Sequence, residues 1–265
     1  MYLKQPRRAA RVAPQCTIPP IIIRHPNYAH HESALLSFPP LDGVTDHDET
    51  DGPNAAWRVH YSTVQTACQI ITGNNPSREE SPVALDPVQA PFDVLFSMEG
   101  WQFPYSLFPS AWAAVSGSQP VEAGQKHSSC ILSGSLTKAN AHLVPRAMSS
   151  WFRYNNMGSY LSDCRPDLGT DNLENMQQLR GDLLKDFDER AFAIVPKLSR
   201  DGYRLASHYV SAADDLSCPA NVFHNRMSQQ VQRIPVELLY ARFACTIFGL
   251  LERFTSQATR LELRQ

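Results

Sequence analysis

Residues 130–197 constrain this chain more than any other stretch, because they combine short apolar runs with spaced polar residues. Cys130 to Ser133 and Ala141 to Val144 are two apolar runs, each ended by a glycine or a proline, with a polar connection between them. This pattern predicts an antiparallel hairpin. His142 lies in the second strand of that hairpin, where a polar side chain stands out among apolar neighbours.

A helix and a further strand are predicted after the hairpin. Asp171 or Asn172 can cap the helix, which ends near Arg190. Its apolar positions follow helical spacing and are Met176, Leu179, Leu183 and Phe187. Phe192 to Val195 is an apolar run closed by Pro196, and we expect it to be a strand that returns to the hairpin. The whole chain is therefore predicted to be an α+β protein.

This segment resembles the HNH nuclease domain, in the version common in uncharacterised fungal proteins. The resemblance rests on the strings A-H-L-V-P, N-x-x-x-L-R-x-D-L-x-x-x-F-D and F-x-I-V-P-K. It implies a ββα-metal core of the His-Me finger kind. It also implies that His142 activates water for attack on a phosphodiester, and that Asn175 either fixes the loop or approaches the metal.

The resemblance implies a divalent ion, Mg²⁺, Mn²⁺ or Zn²⁺, if the site is active, and no cofactor otherwise. Asp188 matches the acidic residue of the family's helix motif, and Asp182 is a second candidate ligand. The family's second histidine falls at Leu184, which has no lone pair to offer. Ala141, which precedes the predicted base, cannot replace that ligand. We therefore expect a weakened metal site and impaired nuclease activity.

Two other functions are compatible with the sequence. The segment could be a catalytically inactive binding module that keeps the nuclease fold. The chain could also be an accessory protein, for example one encoded beside enzymes of fungal secondary metabolism. The sequence contains no G-x-S-x-G elbow, phosphate-binding P-loop or G-x-G-x-x-G fingerprint.

Nucleic acid is the partner that the resemblance implies, but the charge of the segment gives little support. Residues 126–204 contain eleven basic and nine acidic side chains, whereas non-specific binding to nucleic acid depends on neutralising phosphates. A local basic surface could still form. Its candidate contact residues are Lys138, Arg146, Arg153 and Arg180.

Composition divides the chain into five parts. They are a basic flexible tail (1–16), an N-terminal α+β unit (17–75), a Pro/Ser-rich linker (76–126), the HNH-like domain (127–200) and a C-terminal helical region (201–265). In the N-terminal unit, strands are predicted at Ile21 to Ile23 and Ala34 to Phe38, and a helix at Trp57 to Ile71. The aromatic residues of the linker lack interleaved basic residues, so we expect them to pack rather than to stack on bases.

The helix that follows Pro235 is apolar nearly all round, and such a helix is buried. It could pack across the HNH-like segment or form a homodimer with the same helix of a second copy. No stretch is long and apolar enough for a membrane span, so no membrane partner is expected. The histidines His25, His30, His31 and His60 match no strong metal-binding pattern.

Six scattered cysteines form no C-x-x-C pair, which argues against a four-cysteine zinc site and fits a reducing compartment. We expect an intracellular protein of the cytoplasm or nucleus. The first residues are basic, but their prolines and lack of serine disfavour a mitochondrial transit peptide.

Overall fold

A computed structural model describes twelve stretches of the chain. They are residues 19–24, 34–42, 59–73, 95, 97–105, 108–116, 129–163, 165, 167–200, 202–211, 218–228 and 234–262. The predicted tail at 1–16 and the histidines His25, His30 and His31 lie outside the described residues. Helices and strands are both present, with the strands in small sheets, which is compatible with the predicted α+β class.

Within the described stretches, six strands form three separate two-stranded antiparallel sheets. The first pairs β1 (Ile21–Arg24) with β2 (Ala34–Phe38), the second pairs β3 (Ala139–His142) with β4 (Met176–Leu179), and the third pairs β5 (Phe192–Ser199) with β6 (Gly202–Tyr209). The helices are α1 (Tyr61–Ile71), α2 (Ser110–Ser116), α3 (Ser149–Tyr154), α4 (Gly181–Asp188), α5 (Cys218–Phe223) and α6 (Val236–Glu262). The strands and helix predicted in the N-terminal unit are confirmed, although α1 begins later than predicted.

Helix α6 is the central element of the core. It begins directly after Pro235, whose missing N–H is tolerated there, and residues 236–251 are buried with two partial exceptions. It contacts β5, β2, α1 and α2 of the same chain. The predicted burial is therefore confirmed and arises from contacts within the chain, whereas homodimerisation through this helix stays a prediction.

The predicted hairpin is wrong in its pairing. Cys130 to Ser133 forms a turn, and β3 pairs with β4, in the register Ala139↔Leu179 to His142↔Met176. The predicted helix is also wrong in its first part, since Met176 and Leu179 belong to β4. Residues three apart lie on one side of a helix but on opposite faces of a strand. Accordingly Leu179 is fully buried and Met176 is only partly buried.

The helical pattern therefore spans a strand and a helix. The backbone of Arg180 is extended, with ψ of 150°, and α4 starts at Gly181. Leu183 and Phe187 then form its buried face, as predicted. Chain order thus gives strand β3, strand β4 and helix α4, and α4 packs against β3.

Strand β5 is confirmed, but its predicted partner and length are wrong. It continues through Pro196 to Ser199 and pairs with β6, not with β3. Each strand of a two-stranded sheet has one unpaired edge, where the missing N–H of a proline costs little. A proline therefore did not end this strand.

Three aromatic residues of the predicted linker belong to the core, which confirms the packing role for these residues. Trp101, Phe103 and Trp112 are buried. The Trp101 ring stacks on Trp151 at 5.5 Å between centroids, and the Trp151 Nε1 donates a hydrogen bond of 2.7 Å to the Trp101 carbonyl. Tyr240 of α6 contacts several of these rings. The four predicted boundaries between the five parts stay a prediction.

Candidate functional site

His142 lies at the end of β3, beside a carboxylate. Its side chain is 23% exposed, and its Nε2 is 3.4 Å from Oδ1 of Asp171. Arg146, in the 3₁₀ turn that follows β3, places its Nε 2.6 Å from the same oxygen. The hydrogen bond from Arg146 holds the pKa of Asp171 below its usual value, and His142 adds to this effect. The imidazole therefore faces an ionised carboxylate at the surface.

The Asn175 side chain joins the two chain segments that carry His142 and Asp171. It is completely buried. Its Oδ1 accepts a hydrogen bond from Val144 N at 2.9 Å, and its Nδ2 donates to the carbonyls of Val144 at 2.9 Å and Thr170 at 2.7 Å. Asn175 thus ties the chain just after His142 to the chain just before Asp171. Of the two roles that the resemblance implies for Asn175, this geometry favours fixing the loop.

The predicted metal ligands do not come together around His142. Both carboxylate oxygens of Asp182 accept hydrogen bonds from Arg180, at 2.7 and 2.6 Å, and the bond from Arg180 lowers the pKa of Asp182. Leu184 is half-buried and packs against the core. Asp188 is exposed at the last residue of α4. These residues leave the ligand set of a divalent ion incomplete, because Asp182 is held by Arg180 and Leu184 has no lone pair to offer.

The predicted nucleic-acid contacts have different surroundings. Lys138 and Arg146 flank β3, and Arg146 is exposed. Arg153 is exposed near the end of α3. Arg180 is engaged by Asp182 and lies over the Phe223 ring, 5.1 Å from its centroid. Two of the four candidates, Lys138 and Arg146, therefore lie in the same part of the chain as His142.

Sequence reasoning missed the role of Asp171. It considered this residue only as a helix cap, because nothing in the local pattern indicates a contact with a histidine 29 positions earlier. The capping prediction was right in kind for Asn172, whose Oδ1 accepts a hydrogen bond from Glu174 N at 2.8 Å. The element capped is a 3₁₀ turn, Leu173–Asn175, and that turn leads into β4.

A second polar cluster, which the sequence did not reveal, is buried around Asp42. Oδ1 of Asp42 accepts hydrogen bonds from Lys197 Nζ at 2.7 Å and from His224 Nε2 at 3.0 Å. Oδ2 accepts one from the His60 backbone N–H at 2.7 Å and lies 3.8 Å from His208 Nδ1. These residues come from β5 and β6 and from the segments after β2, before α1 and after α5. We call them the Asp42 cluster.

Burial has the largest influence on the pKa values of the histidines and the lysine in the Asp42 cluster. It lowers the pKa values of His208, His224 and Lys197. Burial alone would raise the pKa of Asp42, but the hydrogen bond from His224 and the charges of its neighbours outweigh burial and hold that pKa well below its usual range. Neither ring nitrogen of His208 has a hydrogen-bond partner among the described residues. The cluster is therefore built around one carboxylate and one ammonium.

Asp42, His208 and His224 are close enough to form a metal site, since their ligand atoms lie within 4.8 Å of one another. The protonation of His224 argues against that use. Its Nδ1 accepts the Tyr209 N–H at 3.2 Å, so in the neutral ring Nε2 carries the proton that points at Asp42. A metal-bound histidine instead donates from its second nitrogen to an acceptor. The Lys197 ammonium fills the position of the cation in this arrangement.

One comparison with known proteins gave a match. Residues 130–195 match the family model of an HNH endonuclease. No curated protein and no solved structure matches the chain. Within the described residues, no helix combines the length and apolarity needed to cross a bilayer. The match covers β3, β4, α4 and the site at His142, and it supports an HNH nuclease domain in this segment.

Proposed function

We propose that residues 130–195 bind a nucleic-acid phosphodiester and hydrolyse it slowly, with His142 as the general base. The observation that carries this proposal is the pairing of His142 with Asp171 at the exposed end of β3, inside the segment that matches the HNH family. A base must be within reach of solvent to activate water, and its conjugate acid must be stabilised. The partial exposure of His142 and the neighbouring carboxylate meet both needs.

In the proposed reaction, water attacks phosphorus in line with the leaving oxygen while His142 takes a proton from that water. The bond between phosphorus and the leaving oxygen breaks, and solvent protonates the alkoxide that departs. Asp171 orients the ring and stabilises the imidazolium that forms, since a hydrogen bond to a charged group is stronger than a neutral one. A contact of 3.4 Å is long for a hydrogen bond, but such contacts commonly tighten only when substrate is bound. Asn175 positions both residues by holding the loop.

A divalent ion, when bound, would neutralise charge on the phosphoryl oxygens. The proposed activity is slow because the helix that should supply a ligand carries Leu184. This side chain packs against the core, so it fills the position with hydrocarbon. We propose that this substitution weakens metal affinity and impairs, without abolishing, the nuclease.

The packing of Leu184 also favours a second candidate function. A leucine that packs against the core at this position is compatible with a segment that has no metal site. Such a segment could bind nucleic acid or a partner without cleaving it. The two candidates differ in one property, which is turnover by the native chain.

The test is nicking of supercoiled plasmid at low salt, measured against Mn²⁺ or Mg²⁺ concentration. We expect slow nicking by the native chain and a lower metal requirement, by about tenfold or more, in Leu184→His. Lys185→His is the matched control, because it adds an imidazole to the exposed neighbouring position of α4, about 100° around the helix. It should leave the metal requirement unchanged.

Each outcome decides between the candidates. Slow nicking that disappears in His142→Ala supports the proposed nuclease. Nicking by Leu184→His alone would overturn hydrolysis by the native chain and favour the binding module. No nicking by any folded variant would contradict the assignment of His142 as a base.

A further inference from the structure

Two cationic or protonatable groups contact the same oxygen of Asp171. Arg146 Nε is 2.6 Å from Oδ1, and His142 Nε2 is 3.4 Å from that atom. Both donors compete for one acceptor, and arginine has the shorter contact. In this structure, Asp171 therefore interacts more strongly with Arg146 than with His142.

The Arg146–Asp171 pair differs from the other two arginine–aspartate pairs of the segment. Arg180 holds Asp182 with two nitrogens on two oxygens, and Arg165 contacts both oxygens of Asp163. Each of those pairs joins residues two positions apart. Arg146 and Asp171 are 25 positions apart and share one oxygen. Geometry thus makes it the easiest of the three pairs to exchange.

Exposure makes exchange easier still. The side chains of Arg146 and Asp171 are 68% and 50% exposed, and exposed ion pairs contribute little to stability. Guanidinium carries five N–H donors in a planar fork that suits phosphate oxygens. Among the described residues, only Asp171 contacts the Arg146 guanidinium. An incoming phosphate group can therefore replace Asp171 at low cost.

We propose that Arg146 is a phosphate-binding residue that exchanges Asp171 for a phosphate group of the bound nucleic acid. This exchange leaves Asp171 with His142 as its remaining side-chain partner, so binding strengthens the contact that orients the base. Arg146 also supplies positive charge beside the scissile group, where the ligand set of a divalent ion is incomplete. No covalent bond changes in this step. The inference rests on the proposed function for its substrate class.

The experiment measures equilibrium binding of a short fluorescent DNA duplex to the full chain without divalent ions, across salt concentrations. In Arg146→Gln we expect weaker binding and a slope of log K against log salt that is smaller by about 1, as for one lost phosphate contact. Arg165→Gln is the matched control, because Arg165 and Asp163 are exposed to nearly the same extent, 63% and 47%. It should leave the slope unchanged.

A double-mutant cycle isolates the exchange itself. Asp171→Asn releases Arg146 and should tighten binding about two- to fivefold, the range that an exposed ion pair supports. Asp163→Asn in the native chain measures the smaller effect of removing an exposed negative charge alone. In the Arg146→Gln background, Asp171→Asn should have only that smaller effect on binding. An unchanged salt slope in Arg146→Gln, or equal effects of Asp171→Asn in both backgrounds, would overturn the proposal.

These readouts do not depend on cleavage. If no nicking occurs but the double-mutant cycle gives the predicted difference, hydrolysis is overturned and the exchange of Asp171 for phosphate is supported. If cleavage occurs but Arg146→Gln leaves the salt slope unchanged, the exchange is overturned and hydrolysis is supported. Absence of any binding at low salt would overturn both.

Discussion

The His142–Asp171–Arg146 surface site and the Asp42 cluster contain the same three kinds of group, a histidine, an aspartate and a cation. Their environments are opposite. Asp171 and Arg146 are at least half exposed, whereas Asp42 and Lys197 are 15% and 8% exposed. Water screens the first set, so its contacts are weak and can be exchanged. The second set is held by burial, and removal of one member leaves an uncompensated charge.

This difference supports different proposed roles for the two sites, a functional one at the surface and a structural one in the interior. A site that binds an outside phosphate needs groups that solvent and substrate can reach, which the surface site provides. The Asp42 cluster joins the segments after β2 and before α1 to β5, β6 and the segment after α5. Its ammonium and carboxylate already satisfy each other. We therefore expect changes at the surface site to alter activity, and changes in the Asp42 cluster to alter stability.

The largest effect should follow loss of the buried cation. Lys197→Met leaves the Asp42 carboxylate without its ammonium, and we expect the free energy of unfolding to fall by about 3–5 kcal/mol. Arg146→Gln removes the cation of the surface site, where water screens the ion pair, and should cost much less. Urea unfolding of both variants checks the contrast. Similar losses in the two would break the comparison.

Asn175 is the buried support of the surface site, so its removal should resemble a change in the Asp42 cluster. Asn175→Ala leaves partners at Val144 and Thr170 unsatisfied, and we expect a loss of about 3 kcal/mol. The loop that carries Asp171 should loosen as well. Urea unfolding measures the first effect, and faster amide hydrogen exchange at Val144 reports the second. A loss below about 1 kcal/mol would show that the loop holds without this side chain.

Acid should destabilise the protein through the Asp42 cluster. Burial lowers the pKa of His208, which faces Asp42, Lys197, His224 and His60. A histidine with a lowered folded pKa contributes stability above its unfolded pKa, near 6.5, and this contribution is lost as the pH falls below that value. Each such proton adds a slope of about 1.4 kcal/mol per pH unit.

His208→Leu should flatten that slope by up to one proton between about pH 6.5 and 5. Urea midpoints of the native chain and of the variant at several pH values measure the difference. An undiminished acid slope in a folded His208→Leu protein would contradict the assignment of His208 as a neutral buried group.

The smallest stability effect should come from Asp171→Asn. Water screens an exposed pair, which contributes little to stability, so the urea midpoint should hardly move, while cleavage slows because His142 loses its orienting carboxylate. Single-turnover cleavage beside unfolding separates the two effects. Parallel loss of stability and rate would indicate that Asp171 is a structural residue.

Local pattern predicted much of the fold but not the long-range contacts. The strands of the N-terminal unit, the buried face of α4 at Leu183 and Phe187, and the burial of α6 all follow from periodicity and apolar composition. The pairing of β3 with β4 did not follow from the sequence pattern, because two apolar residues three apart fit a helix as well as opposite faces of a strand.

The candidate site shows the same limit. His142 and Asn175 were found because the resemblance marks their positions. Asp171 was missed as the partner of His142, and the Asp42 cluster was missed completely, since Asp42 lies 155 positions from Lys197 and 182 from His224. Such contacts depend on how the elements pack, and no local spacing records them.

The most direct test of this account is single-turnover cleavage of a DNA duplex by folded His142→Gln and His208→Leu proteins, beside the native chain. We predict that His142→Gln abolishes the slow cleavage with an unchanged urea midpoint, and that His208→Leu keeps the native rate while its acid stability changes. Cleavage that survives His142→Gln, or disappears in His208→Leu, would contradict the claim that the surface site is the functional one.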